Sequence, residues 1–387
     1  MNFNLASLPR VIFGEGVSSQ TGAEVSSMGI KKVIFIYDKG VKDAGLADGI
    51  LNSLEGAGIS AIPFDKVLPD APDTLVEEAA ALARNERVEG IVCIGGGSAM
   101  DTAKSVNVLM GNPGSIRIYY NRNIVQKPGI PLILIPTTAG TGSEVSTAAI
   151  ITDESTGVKR GFTGLPTTAQ LAIADPALTV GLPPGLTAGT GMDAFSHAAE
   201  SLTAGFNANP VSEAIAEKAI SMIVKALPAA VSNGKDMAAR SDMMAAAMMA
   251  AMAFTQAPPH LAHSIAHILG AKYHIHHGVG CAVSMPIAFE YVADARPEQI
   301  RRLGKAMGLD LKDNLNPKET AAQVADAIRD FNKQIGIPPL RELNIPEADL
   351  AEITGKVMME PCSFIAPKVA MPEPIFDLLK KEYARSK

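Results

Sequence analysis

Short apolar runs alternate with helical patterns over residues 1–181, and this alternation constrains the fold of the chain more than any other feature. Each run is rich in Val, Ile or Leu and ends at Asp, Gly, Pro or Thr, as strands commonly do. Near-continuous apolar strands separated by helices, such as the helix predicted at 73–88, indicate a parallel sheet covered on both faces. The predicted strands are 31–38, 61–67, 90–97, 130–138 and 170–176.

The composition changes after residue 181. Long segments rich in Ala, Met and Leu replace the strand-like runs and predict an all-helical second half. At 387 residues the chain also exceeds the usual size of a single domain. We therefore predict two domains: an α/β domain with a parallel sheet over 1–181, and an all-helical domain over 182–387.

Charge and cysteine content limit the partners and the compartment. A net charge of −6 without a basic run argues against nucleic acid or an anionic membrane as the main partner. Three widely spaced cysteines without a CxxC pair indicate free thiols in a reducing compartment. The apolar run 243–254 is shorter than the ~20 residues of a membrane span, and the N-terminus lacks a signal-peptide pattern. We expect a soluble, cytoplasmic protein.

Two loops rich in glycine and hydroxyl groups follow predicted strands. In the first, three glycines and Ser98 lead into a helical pattern that carries Asp101 and Lys104, and a helix start of this kind suits a phosphate. A tight turn is the alternative for this loop, and a solvated loop is the alternative for the second. Two such loops at strand ends favour a nucleotide. The loop residues are Gly95, Gly96, Gly97 and Ser98, then Thr137, Thr138, Gly140, Thr141, Gly142, Ser143 and Ser146.

Asp38 ends the first strong predicted strand. A carboxylate at such a strand end accepts hydrogen bonds from ribose hydroxyls and repels a 2′-phosphate, which favours NAD over NADP. An aspartate in a surface turn is the equally weighted alternative.

All seven histidines lie between positions 197 and 277, and six of them fall between 260 and 277. Asp193 and His197 are four residues apart, as are His263 and His267, so each pair projects from one face of a helix. One carboxylate with several imidazoles suits Fe2+ or Zn2+ better than Mg2+ or Ca2+. A hydrogen-bonded core histidine is the alternative for any single member. His277, ten residues beyond His267, belongs to the same set. The spacing does not choose between the two histidines of the second pair, and His260, His274 and His276 are also candidates.

Together these motifs resemble the iron-containing, or group III, alcohol dehydrogenase family. The similarity runs in order from about residue 8 to the C-terminal region. No single motif is specific, but the combination is. The matching segments are FGEG (13–16), GGGSAMDTAK (95–104), PTTAGTGSE (136–144), DP (175–176), TGMDAFSHAAES (190–201), HSIAH (263–267) and HHGVG (276–280).

The resemblance implies a dinucleotide-binding α/β domain, a helical metal-binding domain and an active site in the cleft between them. It implies Asp193, His197, His263 and His277 as metal ligands, with His267 beside the nicotinamide as a proton relay. It also implies a homodimer or larger homo-oligomer. The cofactor-binding residues by this resemblance are Asp38, Asp70, Gly95, Gly96, Gly97, Ser98, Asp101, Thr137, Thr138, Thr141, Ser146 and Lys159.

Two segments depart from the family pattern. Residues 255–262 read TQAPPHLA where relatives commonly carry a glycine-rich segment with an Asn. Residues 362–368 read CSFIAPK where relatives often read Cys-Thr-Gly-Gly-Asn-Pro-Arg. We therefore predict an unusual substrate pocket, in which an imidazole could meet an anionic group. The predicted pocket residues are Phe254, His260, Cys362 and Phe364.

The predicted activity is NAD-dependent and Fe2+-dependent oxidation of a small primary alcohol or diol, with aldehyde reduction as the reverse reaction and Zn2+ as the alternative metal. A glycerol-dehydrogenase-like or dehydroquinate-synthase-like zinc enzyme of the same fold is one alternative. A non-catalytic metal- or nucleotide-binding protein is the other.

Overall fold

The computed structural model describes residues 3–6, 8–120 and 124–385. It contains two compact units, each with its own core. The first unit is Ala6–Gly181, and the second is the chain from Leu182 onward together with residues 3–5.

The first unit is built on a six-stranded sheet in which every pairing is parallel, with the order β1-β8-β5-β4-β2-β3. Helices connect most of the neighbouring strands, as parallel pairing requires. The strands are β1 Arg10–Phe13, β2 Lys32–Asp38, β3 Ser60–Val67, β4 Gly90–Gly95, β5 Leu132–Pro136, β6 Ala148–Asp153, β7 Val158–Thr163 and β8 Leu171–Ala174. The helices are α1 Thr21–Ser27, α2 Lys39–Asp43, α3 Leu46–Gly56, α4 Asp73–Asn85 and α5 Gly97–Gly111.

The continuous apolar character of the central strands has a direct structural cause. Successive side chains of a strand point to opposite faces of the sheet. Ile34 and Ile36 of β2 therefore pack in the core formed with α4 and α5, while Val33 and Phe35 pack in a second core with α1 and α3. Because both faces are covered, neither set of side chains can be polar.

The antiparallel hairpin β6–β7 was not among the predicted strands. Its strands are only partly buried, and Ile150 and Val158 are exposed. Its apolar pattern is therefore too weak to stand out in the sequence. The five strands that the sequence did predict all belong to the parallel sheet.

The second unit is helical, and no strand occurs in its described part. Asn209 and Asn316 each form a capping box at the start of a long helix, α7 and α12 respectively. None of the helices in the described ranges is long and apolar enough to cross a membrane. The helices are α6 Pro184–Thr203, α7 Pro210–Ser232, α8 Met237–Gln256, α9 Leu261–Tyr273, α10 His277–Val292, α11 Pro297–Ala306, α12 Pro317–Gln334, α13 Leu350–Val357, α14 Pro361–Phe364 and α15 Pro372–Arg385.

Candidate metal centre and cofactor loops

Helix α6 carries the first two predicted metal ligands on one buried face. Asp193 and His197 are one turn apart, and His197 Nε2 lies 3.9 Å from Asp193 Oδ1. Both residues are buried. The i,i+4 spacing in the sequence therefore brings a carboxylate and an imidazole together as expected.

Helix α9 brings His263 against this pair. The ring of His263 stacks on the ring of His197 with a centroid separation of 4.8 Å, and it lies 5.3 Å from the ring of His277. His263 is 3% exposed. Three imidazoles from three different helices thus surround Asp193.

The close approach of α6 and α10 depends on two glycines. A Cβ on Gly278 would lie 1.8 Å from the carbonyl oxygen of Gly189, a distance that no side chain tolerates. Because neither residue has a side chain, the first turn of α10 rests directly on α6. His277, the first residue of α10, then places Nε2 3.5 Å from Asp193 Oδ1.

The four predicted ligands fit a divalent cation. Asp193 Oδ1 and His263 Nε2 are buried and have no hydrogen-bond partner among the described residues. Buried polar atoms without partners are costly in a folded protein, and here they converge on one point. Three nitrogens and one carboxylate oxygen form a donor set that suits Fe2+ or Zn2+.

The electrostatics of the cluster also favour a cation. Burial alone raises the pKa of the Asp193 carboxyl, but the nearby histidines, His197 foremost, outweigh it and hold this pKa below its usual value. Burial, reinforced by His197, lowers the pKa of His263 well below its usual value. At neutral pH the centre therefore holds a carboxylate and a neutral His263 ring, which are the forms that bind a metal.

Glu200 is a candidate functional residue that the sequence did not single out. It is completely buried on α6, and one of its oxygens accepts a very short hydrogen bond from His263 Nδ1. The same carboxylate accepts from the backbone N–H of Ala262 at 2.7 Å and of His263 at 3.3 Å, which satisfies the first turn of α9. Its spacing of seven residues from Asp193 placed it on the same helix face and could have identified it.

His267 has a carboxylate partner of its own. Its Nδ1 lies 2.9 Å from an oxygen of Glu360, which immediately precedes α14. The side chain of His267 is 23% exposed, and its ring stacks on that of His277 at a centroid distance of 5.5 Å. His267 is therefore adjacent to the ligand cluster but open to solvent, whereas His263 is sealed inside.

The predicted pocket residues have different surroundings. Phe254 lies with its ring 4.5 Å from the ring of His197. His260 is completely buried, with Nε2 3.0 Å from Thr203 Oγ1 and Nδ1 3.1 Å from Glu200. This burial argues against contact of His260 with a substrate and favours a supporting role behind His263.

The remaining residues of the second unit that the sequence singled out lie nearer the surface. Cys362 is partly buried, and burial raises the pKa of its thiol to about 12. Phe364 is 73% exposed. His274 is exposed in a left-handed conformation at the end of α9, and His276 contacts Gly189 of α6. A pocket role for Cys362 and Phe364 stays a prediction.

Cys281 is a further donor beside the predicted ligands. It lies one turn after His277 on α10, and its Sγ is 3.7 Å from His277 Nε2. Single donor atoms of Asp193, His263, His277 and Cys281 all lie within 4.8 Å of one another. The i,i+4 spacing of His277 and Cys281 was a signal that the sequence offered.

The two glycine-rich loops of the first unit contact each other at the carboxyl ends of adjacent strands. Strands β2, β4 and β5 are neighbours and end at Asp38, Gly95 and Pro136. The backbone N–H of Thr137 donates to Gly95 O at 3.0 Å. A Cβ on Gly97 would lie 2.8 Å from the methyl group of Thr141, so this glycine makes room for the second loop.

Asp38, Asp70 and Lys159 lie at the border of these loops. Asp38 caps α2 by accepting from the N–H of Val41 at 2.9 Å. The N–H of Asp70 donates to Ser98 Oγ at 3.2 Å, and Lys159 Nζ pairs with Asp70 Oδ1 at 2.8 Å. Asp70 has a positive φ of 64°, in the left-handed region that Asp adopts more readily than most residues other than glycine.

Lys104 of α5 forms hydrogen bonds to the end of the second loop and the start of β6. Its completely buried ammonium donates to Ser146 O at 2.9 Å, Ser146 Oγ at 3.2 Å and Ala148 O at 2.8 Å. Asp101 accepts from Ser143 Oγ at 2.7 Å and from the N–H of Ile150 at 3.0 Å. Asp101 and Ser146, predicted as cofactor contacts, therefore use their side chains to hold the loop in place.

A parallel-sheet unit with paired glycine-rich loops, together with a helical unit carrying a buried Asp/His cluster, defines a metal-dependent dinucleotide oxidoreductase. Comparison with known proteins gives the same answer. The model of the iron-containing alcohol dehydrogenase family matches residues 9–176, and the C-terminal model of the same family matches residues 187–383.

Named relatives cover nearly the whole chain. The NAD-dependent methanol dehydrogenase of Bacillus methanolicus is 35% identical over 96% of this chain and 97% of its own. The 1,3-propanediol dehydrogenase of Citrobacter freundii is 34% identical over 96% of both chains. A crystal structure of a 1,3-propanediol oxidoreductase superimposes with a TM-score of 0.94 at 33% identity, covering 99% of this chain and 100% of the other.

The chain belongs to the iron-containing alcohol dehydrogenase family. This confirms the resemblance drawn from the sequence and the predicted fold class of a parallel-sheet domain followed by a helical domain. It also confirms the class of NAD-dependent alcohol oxidoreductase, with NAD and Fe2+ as its cofactors. The individual site residues are proposals that rest on the geometry above.

Replacing Glu200 by Gln tests its support of His263. The Gln amide oxygen accepts a weaker hydrogen bond from His263 Nδ1 than a carboxylate does, so the other ring nitrogen of His263 donates its electron pair less strongly to a metal ion. The first turn of α9 also loses the negative charge of Glu200. Metal affinity should fall by about 10- to 100-fold, as it does for other outer-sphere partners. Competition with a chelator measures it, and E373Q on the exposed face of α15 is the control. An unchanged affinity in E200Q would contradict the assigned role.

Glu144, in the second loop, provides a pH-dependent test. It is 3% exposed, and burial raises the pKa of its carboxyl to about 7. Below about pH 7 the folded chain therefore keeps a proton on Glu144 that the unfolded chain has already lost. This difference in proton binding stabilises the folded state at low pH, and the stabilisation is lost as the pH rises to about 7.

E144Q removes this titration. Relative to the parent chain, the variant should gain about 2 kcal/mol in free energy of unfolding between pH 5 and pH 8. Urea unfolding followed by circular dichroism at the two pH values measures the difference. E55Q, an exposed substitution on α3, should show no such gain. A pH-independent difference for E144Q would show that the carboxyl is not protonated in the fold.

Proposed function

We propose that this protein oxidises a small primary alcohol or diol to the aldehyde with NAD+, and reduces the aldehyde with NADH. The observation that carries the proposal is the convergence of Asp193, His197, His263 and His277. Two buried donor atoms in this cluster have no partner among the described residues. A cluster of this kind without an ion would be a costly arrangement.

Each group in the proposal has a separate task. Asp193, His197, His263 and His277 would hold Fe2+ or Zn2+, which supplies Lewis acidity toward the substrate hydroxyl, while NAD+ supplies the hydride acceptor. Glu200 orients His263 and fixes which ring nitrogen faces the ion. The glycine-rich loops and Asp38 would bind the pyrophosphate and ribose of NAD. A shared cleft for both sites stays a prediction.

His267 is proposed to move the hydroxyl proton to solvent. Its Nδ1 faces Glu360 at 2.9 Å, which leaves Nε2 to exchange a proton with the substrate side. The partial exposure of both side chains gives this proton a route to water. Imidazole is suited to such transfer near neutral pH.

The names of relatives support a short alcohol or diol as substrate, since they include methanol and 1,3-propanediol dehydrogenases. Phe254 beside His197 would place an aromatic ring at the edge of the metal centre. A cytoplasmic location and a homodimer or larger homo-oligomer also belong to the proposal.

A substrate screen tests the reaction. The protein is purified without oxygen, loaded with Fe2+ or Zn2+, and assayed for NADH oxidation with short aldehydes and for NAD+ reduction with short alcohols and propanediols. We expect turnover that a chelator abolishes and added metal restores. Activity on glycerol or a cyclic polyol alone would favour the alternative zinc-enzyme subclass. No turnover by metal-loaded protein with any substrate would favour a non-catalytic binding protein.

Replacing His267 by Phe tests the proton relay. The variant should keep its bound metal but lose about 100-fold in kcat, the lower end of general acid–base effects. Added imidazole should restore part of the rate. H274N is the matched control, because His274 is exposed in a left-handed conformation that Asn tolerates. Loss of metal from H267F would instead identify His267 as a ligand.

A further inference from the structure

We propose that Cys281 supplies a sulfur ligand to the metal centre, in addition to the four ligands named above. The inference rests on the proposed function only in requiring that a divalent ion binds at this centre. It concerns a residue that the Asp/His set does not include, and it changes the chemical character of the site from purely nitrogen and oxygen to partly sulfur.

The position of Cys281 is set by α10. The helix begins at His277 and has Cys281 one turn later, so both side chains lie on the face turned toward α6. The contact between Gly278 and Gly189 presses this first turn against α6. Cys281 is completely buried, and it therefore cannot turn its sulfur toward solvent.

The distances match those between ligands of one ion. In a five-coordinate site with ordinary bond lengths and angles of about 90–120° between neighbouring ligands, a nitrogen and a sulfur lie about 3.1–3.8 Å apart, and a nitrogen and an oxygen about 2.9–3.6 Å apart. His277 Nε2 lies 3.7 Å from Cys281 Sγ and 3.5 Å from Asp193 Oδ1. One ion can therefore reach all three atoms with only small adjustments.

Two further buried donor atoms lie beside Cys281. Asp193 Oδ1 and His263 Nε2 are both buried, and neither has a hydrogen-bond partner in the described ranges. They belong to the same group of four donor atoms as Cys281 Sγ, all within 4.8 Å. Two atoms that need a cation thus converge on the place where the sulfur lies.

Coordination requires the thiolate. On metal binding the S–H bond breaks, the sulfur electron pair forms the bond to the ion, and the proton leaves to the buffer. A divalent cation at bonding distance supplies the driving force, since a coordinating thiol is deprotonated outright. No oxidant or reductant takes part. The alternative for the same geometry is a neutral thiol hydrogen-bonded to His277.

A soft thiolate changes the relative affinity for metals. Thiolate donors favour Zn2+ more than a set of carboxylate and imidazole alone does. The sulfur should therefore increase the retention of Zn2+ relative to Fe2+. The site would then bind Zn2+ more tightly while keeping the Asp/His ligands proposed for Fe2+.

X-ray absorption spectroscopy of the full-length protein loaded with Zn2+ tests the inference directly. We expect one sulfur scatterer at about 2.3 Å beside nitrogen and oxygen scatterers at about 2.0–2.1 Å. The Co2+-loaded protein should show a thiolate-to-cobalt charge-transfer band in the near ultraviolet. Both signals should disappear in C281S and persist in C93A, which removes a buried cysteine of the other unit. Zinc affinity of C281S should fall about tenfold or more, since a direct ligand matters at least as much as an outer-sphere one.

The outcomes separate the sulfur ligand from the metal centre itself. Only nitrogen and oxygen scatterers in the wild-type zinc protein would overturn the role of Cys281 and leave the Asp/His centre intact. No bound ion at all would overturn both. If C281S fails to fold, the wild-type and C362S spectra decide, because a sulfur scatterer that persists in both C93A and C362S supports the inference and its absence from the wild-type protein refutes it.

Discussion

A single buried carboxylate, that of Glu200, holds together the parts of the helical unit on which its chemistry depends. It lies on α6, satisfies two backbone N–H groups at the start of α9 and binds the Nδ1 atom of His263. A buried anion is stable only when charge-assisted hydrogen bonds replace its water, and the positive end of a helix provides them. The carboxylate that anchors the helix therefore also orients His263, the proposed metal ligand.

The second requirement of the helical unit is steric. Backbone contact between Gly189 and Gly278 brings α6 and α10 closer than two helices with side chains could approach. His277 and Cys281 are carried into the centre by this contact. The site therefore depends on two separate features: the hydrogen bonds of Glu200, and the absence of side chains at the two glycines where the helices touch.

In the sheet unit, a buried group of opposite charge holds a loop in place. There a buried cation, Lys104, binds carbonyl and hydroxyl oxygens of the second loop, and Asp101 binds the same segment from the next turn of α5. The glycines of the first loop lack side chains, so the second loop packs closely against them. Loops that bind a phosphate through backbone N–H groups must be rigid, because ordering them on binding would cost affinity. The buried charges supply that rigidity.

The sequence by itself determined much of this protein. The apolar runs predicted the five strands that form most of the parallel sheet, because strands covered on both faces leave a clear pattern. The i,i+4 spacing predicted that Asp193 shares a helix face with His197, and His263 with His267, and the family resemblance gave His263 and His267 different predicted roles. Local spacing could do this because neighbours within one helix are fixed by helix geometry alone.

Only the tertiary structure decided which distant groups meet. The partners Glu360 of His267 and Ser146 of Lys104 are 93 and 42 residues away along the chain, and no local period relates them. His260 stood out in the sequence as a pocket residue, but packing buries it completely, with Nε2 hydrogen-bonded to Thr203 and Nδ1 3.1 Å from Glu200. Cys281 gained its significance only when α10 was laid on α6. Burial and long-range contact depend on how helices pack, and packing is a property of the whole fold rather than of any segment.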